Sequence, residues 1–230
     1  MFKSIKNRLR HRKLHANGVD LDVNLETRAY GVRSGTWNIN PGPLERDSVV
    51  YSFGVGNNIE WDLGMIEHHQ VELHAFDPTP RSVEWIEKLT LPDRFSFHPV
   101  GLSNQDGEIE FFVPHRDHKV NYSSYKSKSP DGVTVACPVK RLATLMNELG
   151  HNKIDVLKMD IEGAEIAAIP DVLESGISVG QMLVEFHYNY PAISFEQFLG
   201  LIKALRQHGF RIFHISDRGY EICLIHESLV

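Results

Sequence analysis

Apolar runs and amphipathic segments alternate along the chain from about residue 48 to its end. Short apolar runs predict buried strands, and apolar residues at helical spacing predict helices between them. The predicted strands of this regular pattern are 48–53, 71–76, 95–100, 154–159, 181–186, 210–216 and 220–226. The predicted helices are 59–69, 79–89, 139–149, a helix near 163–169, and 195–208. Strand–helix–strand units predict a doubly wound α/β domain with a mostly parallel sheet.

The last two predicted strands are separated only by the turn 217–219. A turn this short joins antiparallel neighbours, because parallel strands need a long crossover connection. We therefore expect one reversed strand at the end of an otherwise parallel sheet.

The regular alternation is interrupted between residues 106 and 136. A turn at 106–107 leads into a predicted strand at 108–113, and 133–136 predicts another strand. Residues 114–132 between them are rich in Ser, Lys, His, Tyr and Pro and predict a long loop. Loops of this length inside a compact domain are commonly functional or disordered. Two interpretations stay open: a lid over a sugar or anionic lipid, and a surface loop without substrate contact.

The first thirteen residues form a basic segment without the apolar stretch of a secretory signal. No run in the chain approaches the roughly 18–20 apolar residues that span a bilayer. Phe2, Ile5 and Leu9 would share one face of a helix, so weak contact with a membrane surface is one interpretation. A solvated terminal helix is the favoured one.

The regular pattern suggests a boundary near residue 48. We expect 1–47 to supply a basic helix and a segment that covers the ligand site, and 48–230 to form the main domain. Trp37, within the first part, is expected to pack in the core.

Composition and charge narrow the class of protein. A chain of 230 residues with 42% hydrophobic and 23% charged residues suits one soluble globular domain. Its formal charge of −6 argues against nucleic-acid binding. Cys137 and Cys223 lie far apart without metal-type spacing, so a disulfide framework is not expected and a reducing cytoplasm is favoured.

Candidate ligand-binding residues follow the predicted strands, because open α/β sheets bind ligands beyond the carboxyl ends of their strands. The first such turn contains Gly54 and Gly56, and glycine permits positive φ and close approach of a ligand. Asp77 follows the second strand, where an acid can accept hydrogen bonds from two ribose hydroxyls. This arrangement predicts a nucleoside site; a plain tight turn and an Asp-Pro strand end are the structural alternative.

The kind of nucleoside depends on the third position of the glycine pattern. Ile59 stands where a dinucleotide site has the glycine that brings pyrophosphate to a helix N-terminus. S-adenosylmethionine carries no phosphate, and its sulfonium cation tolerates acids such as Asp160, Glu162 and Glu185. The pattern favours S-adenosylmethionine, with an NAD-dependent oxidoreductase as the first alternative.

Several segments in these positions carry a specific resemblance. They are 49–56 (VVYSFGVG), 76–78 (FDP), 100–103 (VGLS), 157–165 (LKMDIEGAE) and 183–187 (LVEFH). In this order, over roughly 48–190, they resemble the FkbM-type methyltransferase family. The resemblance implies a class I methyltransferase fold, which is Rossmann-like, with a seven-stranded sheet and one antiparallel strand. It also implies methyl transfer from S-adenosylmethionine, usually to a hydroxyl of a sugar, glycolipid or other small-molecule acceptor.

The resemblance also implies which residues bind the cofactor. They are Ser52, Phe53, Gly54, Gly56, Asp77, Gly101, Leu102, Ser103 and Asp160. Asp77 would hold the ribose, and the turn 100–103 would border the adenine. Ser52 replaces the family's usual acid and Asn58 a usual glycine, so altered cofactor affinity is expected. A non-catalytic nucleoside-binding scaffold is the second alternative.

Methylation of a hydroxyl requires in-line alignment and a general base. Asp160, Glu185 and His187 are the candidate catalytic residues, and His187 is the preferred base because an imidazole titrates near neutrality. A strand-end histidine bonded to backbone is the structural alternative. Together with Glu162 these residues would also suit Mg²⁺, so whether the site holds a metal stays open. A helix dipole suffices to explain Glu165.

Overall fold

The computed structural model describes residues 2–114, 122–123, 125 and 132–230. Its strands are β1 (Arg28–Tyr30), β2 (Trp37–Ile39), β3 (Val49–Phe53), β4 (Glu72–Phe76), β5 (Phe95–His98), β6 (Gly101–Leu102), β7 (Gly107–Phe112), β8 (Thr134–Lys140), β9 (Lys153–Met159), β10 (Ser178–Glu185), β11 (Phe210–Ile215) and β12 (Glu221–His226). Its α-helices are α1 (Phe2–Ala16), α2 (Glu60–His69), α3 (Pro80–Ile86), α4 (Leu142–Leu149), α5 (Glu165–Glu174) and α6 (Phe195–Gln207). Short 3-10 turns lie at Arg33–Gly35 and Glu227–Leu229.

Seven strands form the central sheet, in the order β5-β4-β3-β9-β10-β12-β11. Neighbours from β5 to β10 are parallel, and β12 runs antiparallel to β10 and β11. The predicted doubly wound α/β fold with an antiparallel last strand is therefore confirmed. Strand order reverses between β3 and β9, which is where open α/β sheets bind their ligands.

Apolar side chains fill the space on both faces of the sheet. One core lies under α4, α5 and α6 and contains Leu142 and Phe198. The other lies under α2 and α3 and contains Trp61 and Met65. The helices therefore fix the sheet from both sides, as the predicted βαβ units require.

The segment before α4 differs from the prediction. Strand β8 continues to Lys140 and pairs with both β6 and β7, whereas a strand at 133–136 and a helix from 139 were expected. Cys137 and Val139 are buried on one face of β8, so their alternation has the strand period of two. Helix α4 starts only at Leu142. Helix α5 is longer than expected and runs past Pro170.

The amino-terminal helix α1 is docked at its carboxyl end. Leu14 is buried in the first core. The Arg10 guanidinium lies 3.9 Å from the ring centroid of Tyr220, and the Lys13 ammonium lies 3.7 Å from that of Phe195. These contacts hold the carboxyl end of α1 on the domain, whereas Ile5 and Leu9 are exposed, as a solvated terminal helix requires. Among the described residues, no helix is both long and apolar enough to cross a bilayer.

The segment between α1 and β3 covers the second face of the sheet. Strands β1 and β2 pair antiparallel. The Gln181 side chain accepts a hydrogen bond from the Asn40 backbone N–H at 2.8 Å and donates one to the Asn40 carbonyl at 2.9 Å. Trp37 is 2% exposed and packs in the second core, as expected.

Candidate active site

A cleft of about 230 Å³ opens where β3, β4 and β9 end. Seven of the residues expected to bind the cofactor line it: Phe53, Gly54, Gly56, Asp77, Gly101, Leu102 and Asp160. The cleft therefore lies at the sheet edge that the strand order selects for ligand binding.

Gly54 brings the ends of β3 and β9 into contact. Its φ is +85°, and a Cβ at this position would lie 1.8 Å from the carbonyl oxygen of Asp160. The Gly54 N–H donates to the Phe76 carbonyl, and the Asp160 N–H donates to the Phe53 carbonyl, each at 3.0 Å. Only glycine fits this turn, because both the conformation and the space exclude a side chain.

Asp77 is held in a fixed orientation at the end of β4. Its Oδ2 accepts a hydrogen bond from the Gly56 N–H at 2.8 Å. Its Oδ1 accepts from the Thr79 N–H at 2.9 Å and from the Thr79 hydroxyl at 2.6 Å. Burial raises the pKa of Asp77, against these hydrogen bonds. One acceptor site stays open on Oδ2, whereas Oδ1 already accepts two bonds, so the carboxylate can receive a hydroxyl donor at Oδ2.

Four of the expected site residues do not line the cleft. Ser52 is fully buried behind it, with its hydroxyl 3.4 Å from the Lys158 ammonium. Ser103 is also buried and donates to the Asn104 side chain at 3.4 Å. Glu185 and His187 are not part of the cleft lining, although His187 Nε2 lies 3.9 Å from Asp160 Oδ1. The roles expected for these four residues stay predictions.

Three cleft residues were not predicted from the sequence: Trp61 and Asp62 of α2, and Lys158 of β9. Lys158 is 5% exposed, and its ammonium lies 5.3 Å from the ring centroid of Trp37 and 5.9 Å from that of Trp61. Within the described chain, the buried Trp61 Nε1 and Asp62 Oδ1 have no hydrogen-bond partner. Burial raises the pKa of Asp62, and Lys158 opposes that rise. Both residues line the cleft, so a polar ligand bound there would be placed to pair these atoms, and leaving them unpaired is costly.

The acidic block after β9 surrounds one imidazole. His187 Nε2 lies 3.5 Å from Glu162 Oε2, 3.9 Å from Asp160 Oδ1 and 4.0 Å from Glu185 Oε1. On the other side of the ring, Nδ1 lies 3.2 Å from Glu165 Oε1. His187 is thus enclosed by four carboxyl groups.

The charges of this group are strongly coupled. Burial alone would lower the pKa of His187, but the hydrogen bond and charge of Glu165, with Glu162 and Asp160, raise it to about 9. Burial and the neighbouring Asp160 raise the pKa of Glu185 to about 8. Burial also raises the pKa of Asp160, which Lys158 opposes and Glu162 reinforces. At neutral pH the imidazole is therefore protonated.

Glu162 adopts the left-handed conformation, with φ of +53°. Its carboxylate accepts a hydrogen bond from the Tyr190 hydroxyl, and its carbonyl accepts one from the Ser123 hydroxyl at 2.8 Å. Such a conformation costs about 1–2 kcal/mol for a residue with a side chain. These two contacts hold Glu162 beside His187 despite that cost.

The metal interpretation has partial geometric support. One donor atom each from Asp160, Glu185 and His187 lies within 4.8 Å of the others. Glu185 also bonds the Arg218 guanidinium at 2.7 Å. Arg218 and protonated His187 therefore supply positive charge to this group without an ion. Whether this group holds magnesium therefore stays open, as it was in the sequence.

Most of the 114–132 loop lies outside the described residues, so the lid and the surface-loop interpretations both stay open. Tyr122, within that segment, lines the cleft. Its ring centroid lies 5.7 Å from the Arg81 guanidinium. Aromatic surface is therefore available at the cleft wall.

Comparison with known proteins agrees with the motifs. Residues 21–212 match the methyltransferase FkbM domain family, and the chain belongs to that family. Family and sheet order together confirm the class I, Rossmann-like methyltransferase fold.

Two curated relatives and one solved structure are similar to the chain. Probable methyltransferase-like protein 24 of Homo sapiens is 26% identical over 175 residues, which cover 72% of this chain and 42% of that protein. The chain thus spans about two fifths of the human relative's length. The 2-O-methyltransferase NoeI of Sinorhizobium fredii is 25% identical over 179 residues, which cover 69% of this chain and 72% of that protein. The structure of the Methanococcus jannaschii fibrillarin pre-rRNA processing protein matches with a TM-score of 0.46 at 11% identity. The match covers 88% of this chain and 83% of that one.

Proposed function

We propose that this protein transfers the methyl group of S-adenosylmethionine to a hydroxyl of a sugar, glycolipid or other small-molecule acceptor. The observation that carries the proposal is that Lys158, Trp61 and Asp62 line the same cleft as Asp77, and that Trp61 Nε1 and Asp62 Oδ1 have no hydrogen-bond partner among the described residues. A ligand that joins a ribose to an amino acid would satisfy all of these groups.

The methionine end of the cofactor fits the charged part of the cleft. Its α-carboxylate would pair with the Lys158 ammonium and accept from Trp61 Nε1, and its α-ammonium would donate to Asp62 Oδ1. Charge-assisted hydrogen bonds of this kind are about twice as strong as neutral ones. Asp62 thereby takes the part that the family's usual acid has at the position of Ser52.

The adenosine end fits the opposite part of the cleft. Asp77 Oδ2 would accept a hydrogen bond from one ribose hydroxyl through the lone pair that the Gly56 N–H leaves free, and the other ribose hydroxyl would take the place of the Thr79 hydroxyl at Oδ1. Gly101 and Leu102 would border the adenine. Because Gly54 and Gly56 present bare backbone, the ligand can approach the turn closely.

The reaction requires a proton acceptor beside the methyl group. The acceptor oxygen attacks the methyl carbon, the carbon–sulfur bond breaks, and its electron pair stays on sulfur. Asp160 lines the cleft, whereas His187 lies behind it and carries a proton at neutral pH. We therefore assign the hydroxyl proton to the Asp160 carboxylate. His187 becomes a positioning residue that keeps the surrounding carboxylates in place.

The acceptor class rests on the family and on one relative's name. NoeI is named a 2-O-methyltransferase, and the family resemblance implies hydroxyl acceptors. The aromatic ring of Tyr122 at the cleft wall would suit the apolar face of a sugar.

Calorimetric titration with S-adenosylmethionine, S-adenosylhomocysteine and NAD⁺, with and without Mg²⁺, tests the cofactor. We expect micromolar binding of the first two ligands and none of NAD⁺. Asp77→Asn should weaken both adenosyl ligands, since it removes the charge but keeps the shape. Absence of adenosyl binding in a folded sample would point to a non-catalytic scaffold, and binding of NAD⁺ alone to an oxidoreductase.

The acceptor is tested with methyl-labelled cofactor and a panel of oligosaccharides, glycolipids and simple alcohols. A transferred label that survives alkaline hydrolysis is expected, because a methyl ether is stable to base and a methyl ester is not. Label found only in base-labile product would contradict hydroxyl methylation.

A further inference from the structure

We propose that Glu72, His74 and His151 form a binding site for a zinc-type transition-metal ion, separate from the cofactor cleft. Glu72 and His74 lie on the same face of β4, two residues apart. His151 follows the glycine that ends α4. One ligand atom from each of the three residues lies within 4.8 Å of the others, and none of the three lines the cleft.

The distances suit a tetrahedral ion. Glu72 Oε1 lies 3.0 Å from His74 Nε2 and 3.5 Å from His151 Nε2. Zinc bonds of 2.0–2.1 Å in a tetrahedron place neighbouring ligand atoms about 3.3–3.4 Å apart. Small side-chain rotations would therefore bring all three atoms onto one ion. Two histidines and one glutamate are a common ligand set for zinc.

Both imidazoles are oriented through their other ring nitrogen. His74 Nδ1 lies 2.9 Å from His98 Nε2, and His151 Nδ1 lies 2.7 Å from the Tyr51 hydroxyl. Metal-bound histidines usually donate their second N–H to such a partner, which fixes the tautomer and the ring. In this arrangement the two Nε2 atoms are the ones left to face Glu72.

The proposed metal site is open to solvent on the side of Glu72, and the end of α4 beside it favours a cation. The Glu72 side chain is 48% exposed, whereas those of His74 and His151 are 8% and 14% exposed. One side of the group is therefore open for entry and for a fourth ligand such as water. The carboxyl end of α4 lies beside His151, and the negative end of a helix dipole stabilises a nearby cation.

A bound ion would join β4 to the carboxyl end of α4. The His98 ring stacks on Phe76 at 4.7 Å, and Phe76 lines the cofactor cleft. The site is therefore expected to support the floor of the cleft rather than to take part in the reaction. This proposal does not depend on the proposed methyl transfer.

Equilibrium dialysis of the chelator-treated full chain against Zn²⁺, followed by elemental analysis, tests the site. Wild type should retain one zinc per chain, and its melting temperature should rise with zinc concentration, because an ion that binds only the folded state stabilises it. Cobalt(II) in place of zinc should give the intense visible absorption of a tetrahedral site.

Variants then locate the ion. Glu72→Gln and His151→Gln remove one ligand each at partly exposed positions and should abolish retention. Tyr51→Phe keeps the ring but removes the partner of His151, and should weaken zinc binding roughly 10–100-fold. Glu185→Gln, in the carboxylate group beside the cleft, should bind zinc like wild type. No retention by folded wild type, retention unaffected by Glu72→Gln, or retention lost only in Glu185→Gln would each overturn the proposal.

Discussion

The backbone N–H of His187 donates a 2.7 Å hydrogen bond to the buried carboxylate of Glu165. The other oxygen of that carboxylate accepts from the Gly163 N–H at 2.9 Å. Glu165 begins α5 and His187 follows β10, so one side chain joins two elements at the rear of the active site. The sequence analysis explained Glu165 by the dipole of α5 alone. The structure shows that Glu165 also accepts these two backbone hydrogen bonds.

Glu165→Gln should lower the pKa of His187 by about one unit or more. The variant keeps an acceptor oxygen for the backbone but removes the charge that opposes the effect of burial on the imidazole. The pKa is measured by following the ring proton resonances of His187 with pH. Their assignment comes from a His187→Gln sample.

Glu174→Gln is the matched control, because it makes the same change at the exposed other end of α5. It should leave the pKa of His187 at its wild-type value. An equal shift in both variants, or none in Glu165→Gln, would contradict the role given to Glu165.

The folding stability contributed by His187 should decrease as pH rises from about 7 to 10. The pKa of His187 is raised from 6.5 to about 9 in the folded chain, so its contribution is complete below pH 6.5 and disappears as pH passes about 9. That contribution is on the order of a few kcal/mol.

Urea unfolding at a series of pH values gives the free energy of unfolding of wild type and of His187→Gln. Wild type should be the more stable at pH 6–7, and the difference in free energy of unfolding should become smaller as pH rises. His208→Gln removes an exposed histidine and should follow the wild-type curve. A constant difference across the range would show that His187 is not held protonated.

Gly54→Ala should prevent stable folding or destabilise the chain far more than Gly150→Ala. Both glycines have positive φ, but an added Cβ meets Asp160 backbone at Gly54 and nothing within 4 Å at Gly150. Gly150→Ala therefore isolates the cost of the left-handed conformation, about 1–2 kcal/mol. Chemical denaturation compares the two. Equal losses would mean that β3 and β9 can move apart at the turn.

The sequence predicted the parts of the site that backbone geometry dictates. Gly54 and Asp77 each follow a strand, so their place at the sheet edge follows from the order of elements alone. Lys158 was not assigned a role because it lies within a run interpreted as a buried strand. Its partner Asp62 belongs to a helix whose spacing indicated only packing. A buried charge within an apolar run was the available signal.

Other residues escaped prediction because they meet only in three dimensions. Glu72 and His74 share β4, but His151 follows α4 much later in the chain, and only folding brings it beside them. Val139 was predicted to begin a helix, since a single apolar residue fits both the helical and the strand pattern. The structure places it in β8, where it pairs with Gly107 of β7.

Asp160→Asn should reduce kcat roughly 10²–10⁴-fold, the range expected for loss of a general base, beyond any change in cofactor affinity. His187→Gln should reduce kcat less, because the imidazole does not line the cleft. Steady-state kinetics with the acceptor, together with calorimetry for the cofactor, separates the two effects. A larger loss of kcat in His187→Gln would return the base assignment to the histidine that the sequence favoured.

Lys158→Met should weaken S-adenosylhomocysteine binding roughly 10–100-fold, the value of one charge-assisted hydrogen bond. It should leave 5′-methylthioadenosine binding nearly unchanged, because that compound has the adenosine but not the amino acid. The ratio of the two dissociation constants therefore reports the contact between Lys158 and the α-carboxylate alone. Lys153→Met makes the same substitution at the exposed start of β9, where Lys153 pairs with Asp155 at 2.9 Å, and should preserve the wild-type ratio. If Lys158→Met weakens both ligands equally, Lys158 supports the cleft without contacting the amino acid. If it weakens neither, the methionine end is bound elsewhere.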